Sequence, residues 1–250
     1  MNHTVATASR LLTEQATALP AGLTARMLHP VDSDMIRSFR RAVIATLADP
    51  DHYNIAGEVG DFVLDHLGPR GLTAGIFHGE TLVAYGAIGL PGPGDPNRGI
   101  DMGLPESEWG QVAHMASAMA APDMRGRGLH HWLIDWRIAV ADAFGKRHLL
   151  TTVSTRNHAS WGNLATHGLH PKRRLTIGPG LIRFLVHRDA RDNQALDPQT
   201  ARLVPFEELA EAPLLFDNQQ RIWRREKTEQ GWSAVVGRPK QHNGALQSEL

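Results

Sequence analysis

The 250-residue chain contains no cysteine. Disulfide frameworks, thiol nucleophiles and Cys-ligated metals are therefore excluded, and a reducing, cytoplasmic setting is the expected one. Net charge is absent too, because 26 Lys and Arg balance 26 Asp and Glu. No global field draws the chain to nucleic acid or to an anionic membrane. The local basic runs at 172–174 and 221–227 read as solvated surface. No segment approaches the ~20 apolar residues of a membrane helix, and the N-terminus lacks an apolar signal-peptide core. Internal repeats and a nucleophile-elbow signature are likewise missing. No metal site is expected either: His130 and His131 are adjacent, so on a helix they point about 100° apart and do not chelate as an i, i+4 pair does.

The most informative segment present is Met119-Ala120-Ala121-Pro122-Asp123-Met124-Arg125-Gly126-Arg127-Gly128-Leu129. It joins a small-residue strand to a predicted helix at 128–144. The first turn of a helix offers amide hydrogens without internal partners, its dipole adds partial positive charge, and glycines let the main chain approach an anion. Arg125 and Arg127 add cations to the same place. A P-loop would need Lys-Ser or Lys-Thr after the last glycine, and a dinucleotide fingerprint would need a third glycine. Leu129 and His130 follow Gly128, and no Gly or Ala stands where the third glycine should fall, so both readings fail.

Hydrophobic periodicity predicts a strand at 24–28, helices at 34–48 and 55–67, a hairpin at 72–77 and 81–90, and a strand at 112–121. The helix at 128–144 follows, then a strand at 148–153, a helix at 157–167 and a hairpin at 173–177 and 181–187. The Pro- and Gly-rich stretch 91–110 is long for a connection inside a compact domain and is expected to roof a substrate site. A short helix at 9–18 has no clear anchor. Beyond 188 the chain turns polar, with helices expected at 205–210 and 217–229, a strand at 231–237 and disorder from Gln241. Trp223 and Trp232 imply that this tail packs on something: its own domain, a second copy in a homodimer, or the acceptor site as a lid.

The loop residues Arg125, Gly126, Arg127, Gly128 and Leu129 fit Arg-x-x-Gly-x-small, with His130 where Gly or Ala is expected. Asn157-x-x-Ser160, opening a helix that ends at Gly168, forms a second block. In this order and spacing the two blocks resemble the coenzyme A motifs of the GNAT superfamily of acetyl-CoA-dependent N-acetyltransferases, and the element order over 24–188 is similar as well. The resemblance implies an α/β fold with a mixed central sheet flanked by helices. It also implies an extension at 1–22, a catalytic domain at 23–188 and a second extension at 189–250.

It further implies acetyl-CoA as co-substrate, its pyrophosphate on the 125–129 loop, Asn157 facing the pantetheine arm and Ser160 near the phosphates. Main-chain amides at Met119 and Ala120, exposed by a strand bulge, would polarise the thioester. Asn157 has a plainer use as a helix N-cap. For the base, His114 lies eleven residues before Arg125 on the strand that lines the cleft in that family, and an imidazole of pKa ~6.5 suits proton transfer near neutrality. A hydrogen-bonded core histidine is the alternative, and Glu108, acting through water, is the reserve. Leu164 stands where the family carries a Tyr acid, which leaves His167, a water or no acid at all. The activity implied is transfer of an acetyl group to the amine of a small molecule, an amino acid, amine metabolite or antibiotic, by direct attack in a ternary complex. A protein N-acetyltransferase, an enzyme for longer acyl-CoA and a non-catalytic acyl-CoA sensor are the alternatives.

Overall fold

The computed structural model describes residues 3–53, 61–68, 70–178, 180–209 and 219–240. The chain opens with helix α1 (His3–Gln15), strand β1 (Leu23–Leu28), helix α2 (Ser33–Ala45) and the one-turn helix α3 (Phe62–Asp65). The hairpin β2 (Gly71–His78) and β3 (Thr81–Gly89) is followed by α4 (Arg98–Met102), β4 (Val112–Ala120) and α5 (Leu129–Ala143). Then come β5 (His148–Ser154), α6 (His158–Ala165), β6 (His170–Ile177) and β7 (Leu181–Asp189). These seven strands form one sheet in the order β1-β2-β3-β4-β5-β7-β6, antiparallel except at the parallel pair β4 and β5. A mixed sheet with helices against it is the architecture expected from the sequence.

Helix α5 is apolar almost all round: Leu129, Trp132, Leu133, Ile134, Trp136, Val140 and Ala141 are buried. Such a helix must be covered on two sides, and α1 supplies the second cover. Ala8 and Leu12 are buried, and the indole N–H groups of Trp136 and Trp132 donate to the carbonyls of Ala8 and Gln15 at 3.4 and 3.0 Å. Buried indoles need such acceptors. The predicted helix at 9–18 thus begins earlier, at His3, and the N-terminal extension is docked onto the core.

Two irregularities shape the middle of the sheet. Strands β4 and β5 pair only at Val112↔His148, Ala113↔Leu149 and His114↔Leu150, and then diverge. On the other edge of β4, Gly86 faces Ala118 while Ile88 faces Met115, so Ala116 and Ser117 together oppose Ala87. This is a β-bulge, and the extra residue reverses the alternation of side chains beyond it. Ser117 consequently meets Tyr85 on the α2 side of the sheet, where unbroken alternation from Met115, buried in the α5-side core, would turn it the other way.

The C-terminal part departs from expectation. Arg221–Thr228, expected to be helical, is strand β9; with β8 (Arg202–Pro205) and β10 (Gly231–Gly237) it forms an antiparallel sheet in the order β8-β10-β9. Its charge-rich composition suggests a solvated helix, yet cross-strand pairing with β10 and burial of Ile222 against the main domain favour the strand, a tertiary override of local preference. The helix expected at 205–210 is a short 3-10 turn, Phe206–Glu208. Strand β9 lies on β6 and α6, so the tail docks on its own domain. The expected helical residues 55–60, 210, 217 and 218 and the expected disorder from Gln241 lie outside the described residues.

Candidate active site

The glycine loop has the form that anion binding requires. Gly126 and Gly128 adopt left-handed backbone at φ 77° and 78°, and nothing stands within 4 Å of where a Cβ would be at either. A side chain there would strain the backbone and fill the approach to the amides. Gly128 caps α5 without any side-chain hydrogen bond, and no acidic residue occupies the first turn. Arg125 and Arg127 are exposed beside it. Open amides, an unopposed helix dipole and two exposed cations fit a pyrophosphate.

Where β4 and β5 part, a cleft of about 600 Å³ opens between them. Met115, Ala116, Ser117 and Ala118 line one wall, and Leu150, Thr151, Thr152, Val153 and Ser154 the other. Asn157, Ser160 and Leu164 of α6 border it, and Pro96, Asn97, Arg98, Ile100 and Asp101 contribute from the 91–110 stretch, as expected of a roof. Small residues on β4 keep the gap wide. A strand edge without a ladder partner also offers main-chain groups to an extended ligand.

Asn157 serves as the N-cap of α6, its side-chain carbonyl accepting from Ser160 N–H at 3.1 Å. The plainer reading of Asn157 therefore holds, and the residue borders the cleft as well. His130 does not lie along the helix surface. Its ring lines the cleft and bonds Asn163 at 3.2 Å, tying α5 to α6, and burial pulls its pKa down to about 3, so it stays neutral. Met119 and Ala120 are not among the residues that line the cleft; they pair with Tyr85 and Ala84 of β3, and the bulge falls before them, at Ala116 and Ser117.

The three candidate proton carriers separate. His114 lines the cleft, but its Nε2 accepts the backbone N–H of Arg98 at 3.1 Å, at the start of α4. Burial first, and the positive field of Arg98 second, pull its imidazole down to about 4. It is neutral at pH 7, its basic lone pair is engaged, and it is a weak proton acceptor. Glu108 is outside the cleft, bonded to Arg147 at 2.7 Å and to the buried His148 at 3.0 Å. That cluster continues through His187 and Lys172 to Asp192 and Arg221, joining the main sheet to the C-terminal one. His167 is also outside, held between Asp135 and His131 at 2.8 Å each. Both were reasonable from spacing along the chain. Neither strand register nor helix packing carries them to the gap.

A constellation that spacing does not reveal occupies the bulge. The chain has two tyrosines, and both converge on Ser117: Tyr53 OH donates to its Oγ at 3.0 Å and Tyr85 OH lies 2.6 Å from the same atom. Arg40 of α2 donates to Tyr53 OH at 2.9 Å, its guanidinium packed over the rings of Tyr53 and Phe62. The rarity of tyrosine was the signal available in the sequence. Two buried guanidiniums also line the cleft, Arg137 of α5 and Arg183 of β7, each with an Nη2 that has no hydrogen-bond partner. Among the described residues no group of three or more His, Asp or Glu is placed to hold a metal, and no helix is long and apolar enough to cross a membrane.

No protein-family model matches the chain, and a search of curated proteins returns no relative. Solved structures do resemble it. A Salmonella typhimurium structure described as an acetyltransferase, with its cofactor acetyl-CoA, is 18% identical at a TM-score of 0.50, covering 71% of this chain and 99% of its own. A GCN5-related N-acetyltransferase from Kribbella flavida is 21% identical at a TM-score of 0.49, covering 68% of this chain and 99% of its own. The Salmonella likeness shows that the chain shares the fold of that structure.

Proposed function

We propose that the protein transfers an acetyl group from acetyl-CoA to the primary amine of a small molecule. The observation that carries this reading is the wedge: two parallel strands that pair over three residues and then open, with an uncapped, glycine-led helix start beside them. An extended thioester-bearing arm fits the gap, and its diphosphate fits the loop. Gly126, Gly128 and the first amides of α5 would hold the phosphates, Arg125 and Arg127 would screen them, and Asn157 and the open edge of β4 would hold the arm. Bound there, the co-substrate supplies the activated acyl group.

The chain's own residues then have three tasks. Amides at the bulge, Ala116 to Ala118, face charge developing on the thioester carbonyl. The hydroxyl of Tyr53, itself receiving a hydrogen bond from Arg40, is the donor we assign to the departing sulfur, replacing the Tyr that α6 lacks at Leu164. A thiol of pKa ~8.5 needs only modest help. The amine is taken up as its free base, because His114 is neutral and already engaged at Nε2. His114 instead positions α4 over the acceptor.

Calorimetry with acetyl-CoA, followed in the same sample by thiol release against a panel of amines, tests the reading. Binding with amine-dependent thiol release is expected. Binding without release would identify an acyl-CoA sensor, and absence of binding would overturn the proposal.

A further inference from the structure

We propose that the acceptor amine carries a carboxylate and that Arg183 is the residue that receives it. This rests on the acetyl-transfer reading above and names the substrate class for the same cleft.

Strand alternation decides which side Arg183 serves. Phe184 packs edge-on against Trp161 of α6, so its neighbours Arg183 and Leu185 point to the opposite face. Leu185 confirms this by clustering with Val112 and Leu150 beside Met102 and Leu104. Arg183 is thus on the face roofed by α4, away from α5, α6 and the glycine loop. Ser154 is its direct partner across the β5–β7 ladder, and Thr152 lies two residues along on the same face. Two hydroxyls accompany the cation at this end of the cleft.

The guanidinium is incompletely satisfied. Arg183 is 4% exposed, and its one protein hydrogen bond among the described residues runs from Nη1 to the carbonyl of Ile182 at 3.0 Å. Nη2 is sealed from solvent and has no partner. The acids whose field reaches it, Asp51 and Asp49, are both bound by Arg156, at 2.5 and 2.9 Å. Buried charged donors without acceptors are rare, because desolvation is uncompensated unless another group supplies the acceptor. A planar guanidinium matches a carboxylate two bonds at a time. The other such guanidinium, Arg137, belongs to the α5 side, where Gly86 gives it room under the sheet.

The bulge at Ala116 and Ser117 and the guanidinium of Arg183, one strand beyond β5, line the same cleft, so one acceptor has its amine at the first and its carboxylate at the second. A site built this way penalises a neutral isostere, which leaves the cation buried and unpaired.

The test uses the full chain and matched pairs of amino acids and their carboxamides, with acetyl-CoA saturating. Wild type is expected to favour the acid by tenfold or more in kcat/KM. Arg183→Met should abolish that preference by lowering the value for the acid, Arg183→Lys should recover part of it, and acetyl-CoA affinity by calorimetry should stay unchanged. Saturation-transfer NMR on wild type with CoA, comparing an N-acetyl amino acid with its N-acetyl amide, needs neither turnover nor a folded variant; only the acid is expected to bind. Equal use or binding of acid and amide, binding of neither, or a preference that survives Arg183→Met would overturn the proposal. Failure to bind acetyl-CoA would instead remove the acetyl-transfer reading on which it rests.

Discussion

The two sides of the gap between β4 and β5 are built on different principles. On the α5 and α6 side, the groups that meet a ligand are mainly backbone: two left-handed glycines, an uncapped helix start and exposed arginines from one short loop. On the α2 and α4 side they are side chains gathered from afar, the half-buried Tyr53 and the buried Ser117 and Arg183, with the buried Arg40 behind Tyr53 and bonded to it. Backbone amides suit a partner that never varies. Side chains from separate elements suit a partner that differs between proteins sharing a fold, because each can be exchanged without disturbing the loop.

The contrast breaks most sharply at the loop. Arg125→Ala with Gly128→Glu should weaken acetyl-CoA binding about a hundredfold in calorimetry, since ~2.7 kcal/mol is lost through strain, blocked amides and like charge. Unchanged affinity would refute the phosphate-binding role of the 125–129 loop. On the other side, Tyr53→Phe should leave that affinity intact and lower kcat by about tenfold or more, as expected for loss of a proton donor. A loss confined to affinity would place Tyr53 on the arm instead.

Titration sharpens the comparison further. With His114 engaged, kcat/KM should climb with pH along the deprotonation of the amine, without an inflection near the ~6.5 of an ordinary imidazole. A plateau set by a group near 6.5 would restore a histidine base. Stability should run with pH as well. Burial holds His114 and His170 at about 4 and His130 and His187 at about 3. The unfolded chain, with histidines near ~6.5, then binds more protons, so stability is full above that value and falls as pH drops towards 3–4. Thermal melts at a series of pH values would show this, and a flat profile would contradict it. The smallest effect is expected from Glu108→Gln and His167→Ala: thiol release should stay within about twofold, with Glu108→Gln lowering Tm through its loss of charge to Arg147 and His148.

The legible part of the site was its local part. The loop 125–129 and the Asn157-x-x-Ser160 block are contiguous, and their local geometry, a glycine-led helix start and an Asn N-cap, follows from glycine, helix ends and caps. His114 was rightly put on the cleft strand, but its bond to Arg98 N–H comes from a segment 16 residues away. Glu108 and His167 were chosen by distance along the chain, which says little about which way a side chain faces once strands and helices pack. The bulge was expected at Met119 and Ala120, but no residue type marks its position, and it falls at Ala116 and Ser117. In the tail, eight residues rich in charge became a strand because β10 and α6 were there to receive them.

By itself, the sequence determined the order of the strands from β1 to β7 with α2, α5 and α6 between them, the glycine-led start of α5 and the absence of cysteine chemistry. Each depends on periodicity, turn chemistry or composition within a few residues. Tertiary structure alone decided that β4 and β5 part after three pairs, that both tyrosines meet at Ser117, that α1 covers α5, and that a guanidinium on β7 is buried with a donor to spare. Those features arise from register and packing between segments tens of residues apart, where the free energy belongs to the contact and to neither segment alone.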